Sequence, residues 1–262
     1  MRKSLIACAL ALISLTATPS AADSVCVLKA LGNQAPLTLP NDLIPNAHPL
    51  PDGHSAMLAT RSGWVLRVNL TQARITAQVR VGEAIHATDL SAPRNSLPSM
   101  LAVVTAMPNS LVLLDEWFTP IQKLKLADKT GHTVSAALGI QTAHARQSFV
   151  LVLEDLPEVW EISYNPHAPD IGLGLVHDFQ YREGQFVPGY LNPKRTVLDS
   201  KPLDFALVDE GHAVLTRHTV PEQSGRNAVV VTHLDVRRQV PSMAVPPWPV
   251  APMPAVLPWV CK

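Results

Sequence analysis

Helix signals are almost missing from this sequence. No long stretch keeps a 3.6-residue apolar period, and capping residues seldom precede apolar periodic runs, which sets all-α folds aside. Glycine is scarce beside proline, 12 against 24. Proline is poorly tolerated inside helices and central strands, so the elements must be short and the chain rich in turns. Charge of one sign is not in excess either: Lys plus Arg and Asp plus Glu each number 21. Without a clustered basic face the chain lacks the electrostatic footprint of a nucleic-acid partner. A Gly-rich phosphate loop, a His-Glu-x-x-His pair and a Gly-x-Ser-x-Gly elbow are all absent, so the chemistries those motifs carry have no support. After the first 22 residues, no window of roughly 18 uncharged apolar residues offers a membrane span.

What is present begins at the N-terminus. Arg2 and Lys3 form a short positive region, Leu5 to Leu15 an apolar run, and Ser20-Ala21-Ala22 a small-residue cleavage site before Asp23. This is the order of a cleavable signal peptide over residues 1–22, and the expectation is export to the periplasm. The alternative is an uncleaved anchor, but the apolar run is short for a bilayer of about 30 Å. Removing Arg2 and Lys3 leaves the remaining chain slightly acidic. Of three cysteines, Cys8 lies in the leader, leaving Cys26 and Cys261 near the two ends. In an oxidising compartment they can pair as a disulfide, or stay two unrelated thiols.

Nearly half of the residues are apolar, enough for a real core. After a Pro-punctuated leader and first strand (23–50), the chain repeats one phrase: a turn, a short apolar strand, a second strand ending in a polar turn, then a third strand. The phrase runs through Pro51-Asp52-Gly53-His54 into 55–60, 64–69 and 74–81. It returns at 100–105, 111–115 and 121–126, again at 148–153 and 159–164, and last at 213–217 and 228–235, with 237–240 starting a third strand. The second-strand turns fall at Asn69, Asp115, Asn165 and Asp235. The first two gaps are close to the size of a four-stranded propeller blade, about 50 residues. The third is lengthened by a loop inserted at 166–193, rich in Pro, Gly and His. The predicted fold is all-β: a β-propeller over 51–240, with four recognisable blades, or five counting the leader and a C-terminal strand. The Pro-rich tail, 241–262, reads as extended polyproline-like chain. It either packs over the open end through Trp248, Met253 and Trp259, or is an ordinary disordered tail.

The third blade and its insertion carry a resemblance. Arg146-Gln147-Ser148-Phe149-Val150 and Leu156-Pro157-Glu158-Val159-Trp160-Glu161-Ile162-Ser163-Tyr164 resemble the propeller of proteins related to cytochrome cd1 nitrite reductase, closest to the NirF group. The likeness continues through Gly174-Leu175-Val176-His177-Asp178-Phe179 and Pro188-Gly189-Tyr190-Leu191-Asn192-Pro193-Lys194-Arg195-Thr196, and runs more weakly back to Arg61-Ser62-Gly63-Trp64. The family's haem d1-type propeller has eight blades, so the resemblance implies a shortened relative. It also implies a haem d1-like tetrapyrrole as ligand and a role in its maturation or delivery in denitrification.

Under that resemblance, His144 and Arg146 of His144-Ala145-Arg146 match the family's haem-facing His-x-Arg pair. An imidazole there can bind or protonate a small anion, and a guanidinium can pair with haem carboxylates. Arg61 matches the arginine of an Arg-Asp-Gly turn, and His48 is the nearest candidate for the proximal histidine, although its spacing to Gly53 is shorter than the family's. The family's next arginine is replaced near Ile85-His86, its tyrosine is absent around Ala106-Met107-Pro108, and its last, Pro-His-rich blades are missing. His177 and Arg195 lie in the matching insertion, where they contact a ligand or simply pin the loop. The other histidines, His54 and His212 among them, read as solvated turn residues, and Asp155, Glu158 and Glu161 as solvated strand edges.

No Cys-x-x-Cys-His site is present, so any haem would be held non-covalently, with no metal site of the protein's own. A chain without the c-type domain is not expected to reduce nitrite by itself. Three readings follow: a tetrapyrrole-binding maturation protein, a haem-free scaffold for a protein or peptide partner, and, by fold analogy alone, an enzyme for a small lactone or quinone-linked substrate. Partners under the first reading are the tetrapyrrole, other haem-maturation proteins, or a second copy completing the ring.

Overall fold

The computed structural model describes residues 26–28, 36–91, 98–175, 184–219, 227–240, 247–249 and 259–261. The leader, His177, and most of the tail lie outside them. Two short strands come first, β1 (Cys26–Leu28) and β2 (Leu37–Leu39). Four four-stranded antiparallel sheets follow as blades. Blade 1 is β3 (His48–Pro49), β4 (Ser55–Ala59), β5 (Trp64–Asn69) and β6 (Arg74–Arg80). Blade 2 is β7 (Ala84–Leu90), β8 (Met100–Ala106), β9 (Ser110–Asp115) and β10 (Pro120–Lys125). Blade 3 begins with β11 (Ala137–Ala143), β12 (Ser148–Leu153) and β13 (Glu158–Ser163). A separate hairpin, β14 (Ile171–Leu175) with β15 (Gly184–Val187), intervenes before its fourth strand, β16 (Pro193–Val197). Blade 4 is β17 (Asp204–Val208), β18 (Ala213–Thr219), β19 (Asn227–His233) and β20 (Arg238–Gln239). The last strand, β21 (Trp259–Cys261), returns to β1 and completes a three-stranded sheet in the order β2-β1-β21. No helix among the described residues is long and apolar enough to cross a membrane.

Strand position within a blade explains the sequence pattern. The second strands, β4, β8 and β12, are buried along nearly their whole length, because neighbours cover both faces. They read as unbroken apolar runs such as Ser148-Phe149-Val150-Leu151-Val152-Leu153. The outer strand β6 alternates exposed and half-buried residues, as a strand with one covered face must. Apolar side chains then fill each gap between blades. Met57, Val65, Leu101 and Leu114 pack between blades 1 and 2, and Leu113, Phe149, Leu151 and Trp160 between blades 2 and 3. Val150, Val159, Phe205 and Val214 fill the gap between blades 3 and 4.

The terminal sheet and Trp248 of the tail cover the two outermost faces. Leu28 and Leu39 join Leu58, Leu66 and Val68 of blade 1 in one cluster. At the other side, Trp248 packs against Ala213, Leu215 and Val231 of blade 4, with the Arg217 guanidinium 3.8 Å above its ring. The predicted strands of the repeat correspond to β4–β6, β8–β10, β12–β13 and β18–β20. The innermost strands β7, β11 and β17 lay outside the phrase read from the sequence, and in β7 the polar residues His86, Thr88 and Asp89 break any apolar run. The inserted loop is also more ordered than a loop, carrying a hairpin and ending inside β16.

Antiparallel alternation gives every blade two ends. Turns between first and second strands, and between third and fourth, lie at what we call the upper end; second-to-third turns and the blade-to-blade connections lie at the lower end. At the lower end Gly63, with φ of 92°, passes so close to blade 1's exit that a Cβ there would fall 2.1 Å from the Gly82 carbonyl oxygen. Only glycine permits that approach.

In the terminal sheet Cys26 is the register partner of Cys261. Directly opposed antiparallel residues have Cα atoms about 4.5–5.5 Å apart, within the span a disulfide bridges. The expected outcome for protein folded under oxidising conditions is therefore no free thiol at these positions when it is denatured without reductant. Cys261→Ser is expected to lower stability by up to ~5 kcal/mol, given the length of the loop closed. Two titratable thiols in the oxidised preparation would show that the ends are held by backbone pairing alone.

Candidate functional site

The inner strands β3, β7, β11 and β17 are stitched side by side by polar groups. His48 Nε2 on β3 lies 2.9 Å from Thr88 Oγ1 on β7. Its Nδ1 is 3.9 Å from Asp89 Oδ1. Asp89 then reaches β11, its Oδ2 accepting the Thr142 N–H at 2.6 Å, while the Thr142 hydroxyl donates to the Leu90 carbonyl at 3.2 Å. Gln141 continues the belt, its Oε1 accepting the Leu207 N–H of β17 at 2.9 Å. His86 ties β7 to β11 lower down, with Nε2 3.3 Å from the Leu138 carbonyl oxygen. Inner strands have no further strand of their own blade beyond them, so these side chains supply the missing lateral bonds. Burial pushes the His48 pKa below 6.5 against the opposing pull of Asp89 and Thr88, so the ring is neutral at neutral pH.

A second polar group lies at the upper end, where blade 3 meets blade 4. Glu161 on β13 is buried and faces two guanidiniums. Arg146 gives it Nε at 2.9 Å and Nη2 at 2.9 Å on Oε1. Arg237 gives Nη2 at 2.6 Å on Oε2, and its Nη1 donates to Thr196 Oγ1 at 3.1 Å. Arg146 also pairs with Asp235. Its Nη1 lies 3.0 Å from His212 Nδ1, which itself stands 3.1 Å from Asp235 Oδ2. The Arg146 hydrogen bond, aided by His212 and opposed by burial, holds the Asp235 carboxyl down to about 2. A buried carboxylate is tolerable when both oxygens are met by charged donors, and that is the arrangement here. Two carboxylates and two guanidiniums balance, leaving Lys194, opposite Glu161 in the β13–β16 ladder, as the surplus cation.

The sequence-predicted residues are distributed unevenly over this geometry. His48 is on the inner belt at the axis. His144 and Arg146 are in the β11–β12 turn at the upper end, two and four positions past the belt residue Thr142. His144 is exposed, and its side chain has no hydrogen-bond or ion-pair partner among the described residues. Arg146 is turned into the chain's own carboxylates. Arg61 sits in the β4–β5 turn at the lower end, exposed, with its N–H donating to the Asp42 carbonyl and its own carbonyl accepting the Ile85 N–H. It is thus at the opposite end of the blades from His144 and Arg146. Arg195 is on β16, not in a loop; its guanidinium lies 4.3 Å above the Trp160 ring and 3.6 Å from Glu158 Oε2.

Two expectations are corrected. Glu161 is a buried hub rather than a solvated strand edge, and Glu158 is engaged by the Trp160 indole N–H at 2.8 Å as well as by Arg195. His212 is likewise more than a solvated turn residue. Thr88, Asp89 and Thr142 were missed because nothing in the polarity of β7 and β11 distinguishes a belt from a loop. Asp235 was noted only as a turn residue, and Lys194 only as part of a matching run.

Residues 47–173 match the family described as "Cytochrome D1 heme domain". Dihydro-heme d1 dehydrogenase of Pseudomonas aeruginosa is 33% identical over 123 residues, covering 45% of this chain and 24% of that protein. A solved structure of dihydro-heme d1 dehydrogenase NirN in complex with DHE superposes with a TM-score of 0.58 at 23% identity. It covers 85% of this chain and 44% of that chain. This chain therefore spans about a quarter of the curated relative's length and under half of the solved one. The fold is a β-propeller like that of the cytochrome d1 heme domain, as the sequence resemblance implied. The family match takes in His48, Arg61, His144 and Arg146 and ends before β16 and blade 4.

Two outcomes test the geometry. Glu161→Gln removes the buried negative charge between Arg146 and Arg237 and turns an N–H₂ donor toward one of them, and a loss of about 3 kcal/mol or more is expected in urea unfolding. His48 protonates more readily in the unfolded chain, so its contribution is fully present above pH 6.5 and declines as pH falls from 6.5 toward the lowered value. Replacing His48 by Asn should flatten that part of the stability–pH curve; an unchanged slope would show that His48 does not drive it.

Proposed function

We propose that this chain is a periplasmic haem d1-type propeller protein that binds a haem d1-like tetrapyrrole without a covalent link and assists its maturation or delivery in denitrification. The observation that carries the reading is the His48–Asp89–Thr142 chain across three inner strands, ending two residues from the exposed imidazole of His144. It lies within the part of the chain that is similar to the cytochrome d1 heme domain.

The residues fit such a ligand in kind. A carboxylated iron tetrapyrrole asks for a neutral nitrogen donor and for positive charge near its rim. His144 offers an imidazole at the upper end, and Lys194 supplies surplus charge at the same end. His48 is neutral, but ligation through Nε2 would require it to give up Thr88, so His144 is the better-placed imidazole. Arg61, at the lower end, is not part of this group. When bound, the tetrapyrrole would supply the iron; the chain's own part would be to hold it through His144, with His48 and Asp89 kept in place by their bonds across the inner strands.

A haem-free scaffold for a protein or peptide partner is the second reading, favoured by one observation: the Arg146 guanidinium is already committed to Glu161 and Asp235. The two readings separate in an absorption titration of the purified mature protein with haem d1. A saturable spectral shift at roughly micromolar ligand is expected, and alanine at both His144 and Arg146 should abolish it. No shift with protein shown to be folded by circular dichroism would overturn the tetrapyrrole reading, and partner binding that survives the double substitution would support the scaffold.

A further inference from the structure

Beneath the insertion, on the side of blade 3 that faces blade 4, lies a cavity of about 180 Å3. It is open on one side; Ser148, Ser163, Asn165 and Lys194 line it together with Arg146 and Glu161, and Pro169 and Gly189 border it from the insertion side. Gly189 and Pro169 pack closely on each other at this edge: a Cβ on Gly189 would fall 2.1 Å from the Pro169 carbonyl oxygen. The space is that of a small ligand of a few non-hydrogen atoms rather than a macrocycle.

The charges around it do not cancel. Glu161 and Asp235 are consumed by Arg146 and Arg237, whereas the Lys194 ammonium has no hydrogen bond or ion pair among the described residues. Burial, and next the positive charge of Arg237, hold its pKa below the ordinary value. The neutral donors divide as clearly. The Ser148 and Ser163 hydroxyls are spent on the Arg146 and Gln147 carbonyls, both at 3.3 Å. Asn165 uses its side-chain oxygen to accept the His167 N–H at 3.1 Å, which leaves its amide nitrogen as a donor with no partner among the described residues. One free cation and one free amide N–H₂ beside a small, half-open pocket form a site for one negative charge on a planar, two-oxygen group. A dianion would meet the buried Glu161 without a second free cation, and a halide would leave most of the space empty.

We infer that this cavity binds a small monocarboxylate, from acetate to a short hydroxy acid, through an ion pair to Lys194 and a hydrogen bond from Asn165. The pocket is lined from blade 3 and the insertion; because the proposed tetrapyrrole reading draws on the same Lys194, the site is tested without that ligand.

The test is an amide ¹H–¹⁵N titration of the tetrapyrrole-free mature protein with sodium acetate, against sodium chloride and sodium phosphate at matched ionic strength. Acetate is expected to give saturable shifts around 146–148, 163–171 and 189–194, with chloride giving none. Lys194→Met should weaken acetate by roughly tenfold or more, Lys194→Arg should retain it, and Asn165→Asp should oppose it by adding a like charge. The Asp variant keeps the test decisive should circular dichroism show that Lys194→Met is unfolded. Non-saturating shifts, tighter binding of phosphate than acetate, or acetate affinity unchanged in folded Lys194→Met or Asn165→Asp would overturn the inference.

Discussion

A blade whose second strand is apolar on both sides can exist only while something covers each of its faces. Val150 and Leu151 are neighbours on β12, yet one fills the gap toward blade 4 and the other the gap toward blade 2. Every other feature of the molecule follows from meeting that demand. Within the row the next blade meets it. At the two outermost blades no further blade follows among the described residues: β1 and β2 join the blade 1 core, while Trp248, beneath the Arg217 guanidinium, covers blade 4. An apolar sheet face left open would be a site for association, so these closures decide whether the unit stands alone.

Polar groups enter this architecture only where covering is incomplete. The inner strands lack a further strand on their axial side, and His48, Thr88, Asp89, Gln141 and Thr142 bond across that space. At the upper seam of blades 3 and 4 the insertion interrupts the sheet before β16, and Glu161 gathers Arg146 and Arg237 there. The same Arg146 that a ligand-binding role would need is thereby used to join two blades. Charge left over after such pairing is more informative than charge present, which is why Lys194, not Arg146, marks the anion-sized cavity.

The repeat was legible because it is written in strands that are either buried on both sides or alternating. Ser148-Phe149-Val150-Leu151-Val152-Leu153 admits few other readings once proline has excluded helices. The inner strands were not legible, because His86, Thr88 and Asp89 are polar for a reason that exists only beside another blade. Glu161 shows the same limit from the other side: on a strand it looked like a solvated edge, and two arginines 15 positions before it and 76 after it make it a hub. The resemblance seen in the third blade agrees with the cytochrome d1 heme domain match, which takes in residues 47–173 and so reaches back through the first two blades.

By itself, then, the sequence determined the all-β class, the blade length, the boundaries of the middle strands, and the likeness to the d1-type propeller, since all of these rest on local period and on contiguous matching residues. Tertiary structure alone decided which polar side chains meet. It placed Arg61 at the end away from His144, buried Glu161 between Arg146 and Arg237, and set Cys26 opposite Cys261. Such pairings depend on which ends of which blades face one another. Distance along the chain carries no record of that, because each blade reverses direction three times before the next begins.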